Sequence, residues 1–373
     1  MHVKGLKNAK IAVGHDDLTV PYGGGEKIFV AIAEIFPQAD VFTSMATREW
    51  LARLPGRKVI TTFMQKIPFK RRLQKALFPL YPLAFESLDF SDYDLVVSSS
   101  SRFAHGVITK PQTVHVCYMN SPGRMFWEPR NYFSDNPTLG KLLSPVLSYL
   151  RLWDRVTAQR VDYFIANSKN IARRIKRCYG REATVVYPFV DLEKFKPITG
   201  DRGEGVGDYY LVVTRLAPWK RVEIAIEAAN RLKLHLKVVG GGPSLGKLKK
   251  LAGPTVEVLG SVGDEELSKL YQGCIALIMT QEEDFGITSL EVQACGRPVI
   301  AYGAGGALET VVSGETGELF SPQSSEALTH VLEWFDSKRY SSEGCRANAQ
   351  RFSKERFQKE FLGELERALR SKH

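Results

Sequence analysis

The sequence predicts an α/β protein built as two doubly wound parallel-sheet domains, and three observations carry that prediction. A length of 373 residues gives room for two domains of ordinary size, each with its own core. Short apolar runs alternate with helical patterns along the chain, the order that yields a parallel sheet with helices on its faces. The loops that leave those runs are rich in Gly, Ser, Arg, Lys and Glu, and in such folds ligands sit at strand C-terminal ends.

Composition narrows the class. Apolar residues make up 44% and charged residues 25%, ordinary values for a globular chain. No apolar run approaches the length of a membrane span. The opening MHVKGLKNAKIAVG is basic with a short apolar stretch, which reads as a first strand rather than a secretory signal. Five cysteines, at 117, 178, 274, 295 and 345, are odd in number and form no C-x-x-C, so reduced thiols and a cytoplasmic setting are expected. The net charge of +10 is uneven, roughly +12 over residues 1–190 and about −2 beyond. The first half is therefore expected to face something anionic: nucleic acid, a membrane surface or a phosphorylated substrate. Nucleic acid is the least favoured, because the basic residues are not interleaved with a binding motif for it.

In the first half, Lys10 to Gly14 reads as a strand, followed by His15-Asp16-Asp17 and a loop ending Gly23-Gly24-Gly25. From Glu26 the spacing of Ile28, Phe29, Ile32, Ala33, Ile35 and Phe36 is helical. A glycine loop between strand and helix lets backbone N–H groups close on an oxyanion, though neither a P-loop nor a dinucleotide fingerprint is present. In residues 63–88, Lys66, Lys70, Arg71, Arg72 and Lys75 stand among Phe, Leu, Tyr and Pro, with prolines limiting a helix to about 69–78. Such a segment either lies on an anionic bilayer or forms a solvated helix face. Asp92-Tyr93-Asp94 spells D-x-D but precedes the strand Leu95 to Val97, away from the ligand edge, so no metal is assigned to it. Ser98 to Ser101 are placed at that strand's exit. Tyr163 to Ala166 is a further strand, and a basic helix with Arg173, Arg174, Lys176 and Arg177 follows. Residues 187–208 form the linker zone.

The second half opens with a strand from Tyr209 to Thr214, then Arg215 and Lys220 before a helix from Arg221. Cations at a strand exit and a helix start converge on one point, where a pyrophosphate is well held. Lys237 to Gly242 is another strand-to-glycine exit, and Ser261-Val262 precedes a helix from Asp264. Cys274 to Thr280 reads as a buried strand, Gln281 to Asp284 as a polar turn, and Gly286 to Cys295 as a helix ended by Gly296. Glu283 and Glu291, with seven residues between them, lie in that loop and helix, where ionised carboxylates suit the hydroxyls of a ribose or hexose. The bland alternative is an N-cap acid and a solvated helix glutamate. Pro298 to Ala301 is the next strand, feeding Tyr302 to Gly306 and a further helix.

Read together, E-D-F-G-I-T-S-L-E, A-C-G-R-P-V-I-A and G-G-x-x-E-T-V-x-x-G-x-T-G resemble the C-terminal half of family 4 retaining glycosyltransferases, whose donor-sugar signature is Glu-x7-Glu. The match runs over some forty continuous residues at 283–317 and their flanks. Gly23-Gly24-Gly25-Glu26 is similar to the family's Gly-Gly-x-Glu loop, and Arg215 with Lys220 to its Arg-x4-Lys. Tyr118, Ser121, Pro122, Arg124 and Trp127 match its Tyr-x-His-(Ser/Thr)-Pro-x-Arg-x-x-Trp, with Asn120 where relatives usually have His. Asn donates a hydrogen bond but exchanges no proton at neutral pH, and strand alternation argues against His115 as a stand-in.

The resemblance implies the GT-B architecture, two Rossmann-like domains facing across a cleft: 1–190 for the acceptor, 191–351 for the nucleotide sugar, and 352–373 as a helix returning to the first domain. It implies a metal-independent, retaining hexosyltransferase resembling mannosyltransferases, with GDP-mannose as first donor and a glycan or lipid-linked acceptor in surface polysaccharide synthesis. Arg215, Lys220, Glu283 and Asn120 would be catalytic. Gly24, Gly25, Gly241, Val262, Phe285, Gly286, Ile287, Thr288 and Glu291 would hold the donor, and Asp16, Tyr118, Ser121 and Arg124 would line the acceptor side. No cofactor beyond the co-substrate is expected, and the basic segment at 66–75 would meet the membrane. The competing class is a nucleotide-sugar-binding pseudo-enzyme, motivated by Asn120.

Overall fold

A computed structural model describes residues 9–20, 22–69, 76–134, 136–198 and 207–371. Four of the five expected membrane-facing cations, Lys70, Arg71, Arg72 and Lys75, lie outside these residues, as does most of the helix expected at 69–78. The chain forms two compact units, Met1–Tyr187 with Phe357–His373, and Pro188–Arg356.

The first unit holds a seven-stranded, all-parallel sheet of β1 (Ile11–His15), β2 (Asp40–Thr43), β3 (Val59–Thr61), β4 (Leu95–Ser100), β5 (Val114–Met119), β6 (Tyr163–Ala166) and β7 (Thr184–Val185). Their order, β3-β2-β1-β4-β5-β6-β7, turns back between β1 and β4. Every residue of β4 and β5 is buried, as expected of central strands covered on both faces. Ser98 to Ser100 therefore lie within β4, not at its exit. Their hydroxyls are tolerated there because they are paired: Ser98 Oγ lies 2.9 Å from His115 Nε2, and Ser100 Oγ donates to Asp16 at 3.2 Å.

Around this sheet run α1 (Gly24–Ile35), α2 (Pro137–Leu142), α3 (Ser144–Thr157) and α4 (Lys169–Tyr179). Glu26 caps the start of α1 by accepting from Gly23 N at 3.1 Å, and Ser168 caps α4 by accepting from Ile171 N at 3.0 Å.

The second unit holds β8 (Tyr209–Val213), β9 (His235–Val239), β10 (Val256–Gly260), β11 (Leu277–Met279), β12 (Val299–Tyr302) and β13 (Gly317–Phe320). This sheet is also parallel, in the order β10-β9-β8-β11-β12-β13, and turns back between β8 and β11. Its helices include α5 (Glu223–Leu232), α6 (Asp264–Gly273) and α7 (Ile287–Ala294). The paired strand within Cys274 to Thr280 is confined to Leu277–Met279. The helix expected from Arg221 starts at Glu223, after a tight turn over Pro218–Lys220.

The last helix, α8 (Lys354–Ser371), buries Phe357, Phe361, Leu365 and Ala368 on one stripe. Phe357 and Phe361 meet the Tyr118 ring edge-on, and Tyr163 Oη donates to Glu364 at 2.6 Å. Among the described residues no helix is long and apolar enough to cross a membrane.

Candidate functional site

In a doubly wound sheet the crevice opens beyond the strand C-termini where the order turns back. In the second unit that point is fed by the loops after β8 and β11. The β8 loop leaves Arg215 exposed and brings Lys220 back over β11, where Thr280 Oγ1 donates to the Lys220 carbonyl at 2.9 Å. The β11 loop presents Glu283, and the Lys220 ammonium donates to its Oε1 at 2.7 Å. Gln281 Nε2 donates to the same oxygen at 2.7 Å. Both charged side chains of this pair are mostly buried, at 17% and 19% exposure. Sequence reasoning had no sign of Gln281, whose role depends on the turn shape.

Glycines hold these loops against each other. Gly306 N donates to the Glu283 carbonyl at 2.8 Å, and a Cβ on Gly306 would run into the Phe285 backbone. Gly240 adopts φ 138, and there a Cβ would strike the Thr214 carbonyl, just before Arg215. Gly241 accepts from Leu216 N at 3.0 Å, so it braces the Arg215 loop. Gly286, at φ 96, turns the chain into α7, whose first residues Ile287 and Thr288 are half-buried. Phe285 is buried against Phe352, and Val262 is half-buried in the turn before α6.

Glu291 is 5% exposed and accepts from Tyr271 Oη at 3.0 Å. Burial, then the neighbouring carboxylate, push the Tyr271 phenol well above its usual range, so it stays a donor. No local pattern marks Tyr271 on α6 as a partner of Glu291.

The first unit has its own reversal, between β1 and β4. Asp16 follows β1, and its carboxylate accepts from Ser101 N at 2.6 Å, Phe103 N at 2.8 Å and Ala104 N at 2.7 Å. Burial would raise its pKa, but Arg102, His15 and the N–H donors outweigh that and hold it below the usual range. At 2% exposure Asp16 is a brace between two loops, not the acceptor-lining group expected from sequence. Tyr118 departs from expectation likewise: it is fully buried, its hydroxyl donates to the Val186 carbonyl at 2.9 Å, and its ring packs on α8.

Ser121 is buried and donates to the Pro122 carbonyl at 2.9 Å, while accepting from Arg174 at 3.3 Å. Arg124 lies 4.0 Å from Glu128, which also pairs with Arg174 at 2.7 Å. These two positions thus join one local polar network. Gly24 and Gly25 open α1, and a Cβ on Gly25 would come to 3.9 Å from the Asn120 amide. The glycine loop and Asn120 are therefore neighbours. Asn120 is 9% exposed; its side-chain amide donates to Ser99 Oγ at 3.2 Å and its backbone carbonyl accepts from the Asn167 side chain at 2.9 Å. His15, not singled out from sequence, stands beside them. Its Nδ1 is 3.1 Å from the Ser99 carbonyl, its Nε2 is 3.9 Å from Glu26, and its ring stacks on Phe29. Its place at the end of a strand that leads into a glycine loop was the available signal. Among the described residues no three His, Cys, Asp or Glu side chains gather as a metal site needs.

Comparison with known proteins bears on the family and the fold. Residues 22–194 match Glycosyltransferase Family 4, and residues 204–352 match Glycosyl transferases group 1. The D-inositol 3-phosphate glycosyltransferase of Rhodococcus erythropolis is 31% identical over 201 residues, 46% of this chain and 45% of that protein. The protein so named from Geodermatophilus obscurus is 31% identical over 235 residues, 54% of this chain and 52% of its own. The chain spans about half the length of the curated relatives it matches.

Among solved structures, Anabaena Alr3699/HepE in complex with UDP and glucose superposes with a TM-score of 0.69 at 20% identity, over 96% of this chain and 99% of that one. Sucrose-phosphate synthase from Thermosynechococcus elongatus gives 0.70 at 18% identity, over 98% and 100%. At such identities the likeness speaks for the fold, two Rossmann-like domains of the GT-B class. The chain thus carries a Glycosyltransferase Family 4 domain over residues 22–194 and a Glycosyl transferases group 1 domain over residues 204–352, on the GT-B fold.

Proposed function

We propose that this chain transfers a hexose from a nucleoside diphosphate sugar to an acceptor hydroxyl, with retention of configuration. The observation that carries the reading is the Lys220–Glu283 pair at the reversal point of the second sheet. A cation there meets the charge that grows on the departing diphosphate, and Arg215 adds a forked donor. Glu283 accepts from a sugar hydroxyl, and the buried Glu291 from the ribose diol. As the bond from the anomeric carbon breaks, the leaving phosphate oxygen takes the acceptor's proton on the same face. That route needs neither a metal nor a protein base and suits Asn120.

The donor of first choice remains GDP-mannose, on the resemblance to mannosyltransferases. UDP-glucose stands beside it because a structural neighbour holds UDP and glucose. The acceptor is proposed to be a glycan or lipid-linked intermediate of surface polysaccharide, met at the cytoplasmic face of a membrane. Incubation of the pure protein with a panel of nucleotide sugars, reading nucleoside diphosphate release, tests the reading. Lys220→Ala and Arg215→Ala should each lose about 2.7–4 kcal/mol of transition-state stabilisation. Near-native rates in both would remove the diphosphate assignment. A second reading, a donor-binding pseudo-enzyme, is favoured only by Asn120; it requires nucleotide-sugar binding without release.

A further inference from the structure

Residues 137–159 carry an apolar row that the core does not use. One side of α3 buries Leu147, Leu150, Trp153 and Thr157. Its other side shows Tyr149, Leu152 and Val156 at 52%, 64% and 53% exposure. The spacing i, i+3, i+7 puts them in one line along the helix. Leu139 and Leu142 of α2, at 40% and 76%, continue that spacing toward the N-terminus. Single exposed leucines need no explanation, but five large apolar side chains in one row mark an interaction surface.

Charge says what covers it. The exposed polar residues of this stretch are Thr138, Lys141, Ser144, Ser148, Arg155 and Gln159. Its one acid, Asp154, is wholly buried and accepts from the Trp127 indole at 2.7 Å. In a chain with 41 Asp and Glu, this face shows solvent no carboxylate. Leucines with a tyrosine, hydroxyls and flanking cations fit the boundary of an anionic bilayer. The aliphatic groups enter the acyl region, the tyrosine sits at headgroup level, and the cations meet lipid phosphates.

We propose that α2 and α3 dock this protein on an anionic lipid surface. Leu139, Leu142, Leu152 and Val156 insert, Tyr149 sits at headgroup level, and Lys141 and Arg155 rest on the headgroups. This surface shares no residue with the basic segment at 66–75, and the proposal is independent of the transfer reading, since docking needs no turnover.

Sedimentation of the full chain with vesicles of phosphatidylglycerol or phosphatidylcholine is the test. The native protein should bind phosphatidylglycerol, release as salt rises, and bind phosphatidylcholine weakly. Replacing Leu142, Leu152 and Val156 together by Gln should cut binding at least tenfold, and neutralising Lys141 and Arg155 about fivefold each. All five side chains are exposed, so the variants should keep the native melting temperature. Absence of native binding would overturn the proposal. So would native-like binding by the triple variant, with loss only when Lys66 and its basic neighbours are neutralised. Concentration-dependent self-association, abolished by the triple variant in the absence of vesicle binding, would make this face an interface between copies and equally overturn it.

Discussion

Lys220 and Glu283 were each readable as ligand contacts, yet in the protein they hold one another at 2.7 Å. On the proposed reading, a diphosphate competes with Glu283 for the Lys220 ammonium. Glu283→Gln removes the competing charge, so free nucleoside diphosphate should bind more tightly, by roughly tenfold for one charge-assisted bond released. Turnover should fall, because the sugar hydroxyl then meets a neutral amide oxygen in place of a charged carboxylate. Calorimetry with steady-state kinetics decides: weaker diphosphate binding would mean that Glu283 aims Lys220 instead of restraining it. Asn120 gives a second test. It sits beside Gly25 with its amide on Ser99, so it keeps a donor where relatives carry His. The native rate should be nearly flat between about pH 5.5 and 7.5, and Asn120→His should introduce a dependence there. A native rate that already bends in this window would mean that a group other than Asn120 carries a proton in the reaction. Lys220 and Glu283 were legible as loop residues because each stands in a spaced pattern at a strand exit, and the structure brings them together. Asp16 and Tyr118 stand in equally good patterns and point elsewhere. What decides is which neighbour fills the space: backbone N–H groups around Asp16, and α8 against Tyr118.

Elements were legible wherever hydrophobic period and punctuation agreed, as at β1, α1, β6, α4 and α7. Their ends were not. Three serines looked like a loop, but partners such as His115 and Asp16 keep two of their hydroxyls inside β4. The glycines after β12 read only as a loop, whereas Gly306 is the point where that loop presses on the Phe285 backbone. Gly306→Ala needs no unusual φ, so its cost comes from the collision alone. It should destabilise by about 1–3 kcal/mol, the range for overpacking. Turnover should fall as well, since the displaced segment carries Glu283. Gly246, in a helix with open space where a Cβ would go, is the control. Ala there should hold or raise stability by roughly 0.5–1 kcal/mol. Equal behaviour of the two variants in thermal denaturation would remove the buttress from the account.

At the scale of the whole chain, the C-terminal stretch returns to the first unit. The second unit ends at Arg356, and Phe357 onward belongs with the first. A helix over 352–373 returning to the first domain was expected from the resemblance, but which residues it would bury was not. Periodicity reports a face and is silent on its partner. In the protein Phe361 is fully buried and its ring centre lies 6.1 Å from that of Tyr118 on β5. Truncating it leaves a cavity, and Phe→Ala in a core costs about 3–5 kcal/mol. Although Phe361 is only a few residues from the second unit in sequence, that loss should fall on the first. In hydrogen exchange on Phe361→Ala, amides of β4 and β5 should exchange faster, while those of β8 and β11 keep their native protection. Faster exchange confined to residues 188–356 would place the helix with the wrong unit. Faster exchange across all four strands would mean that the two units unfold as one cooperative body, and the division at Tyr187 and Arg356 would then have no thermodynamic meaning.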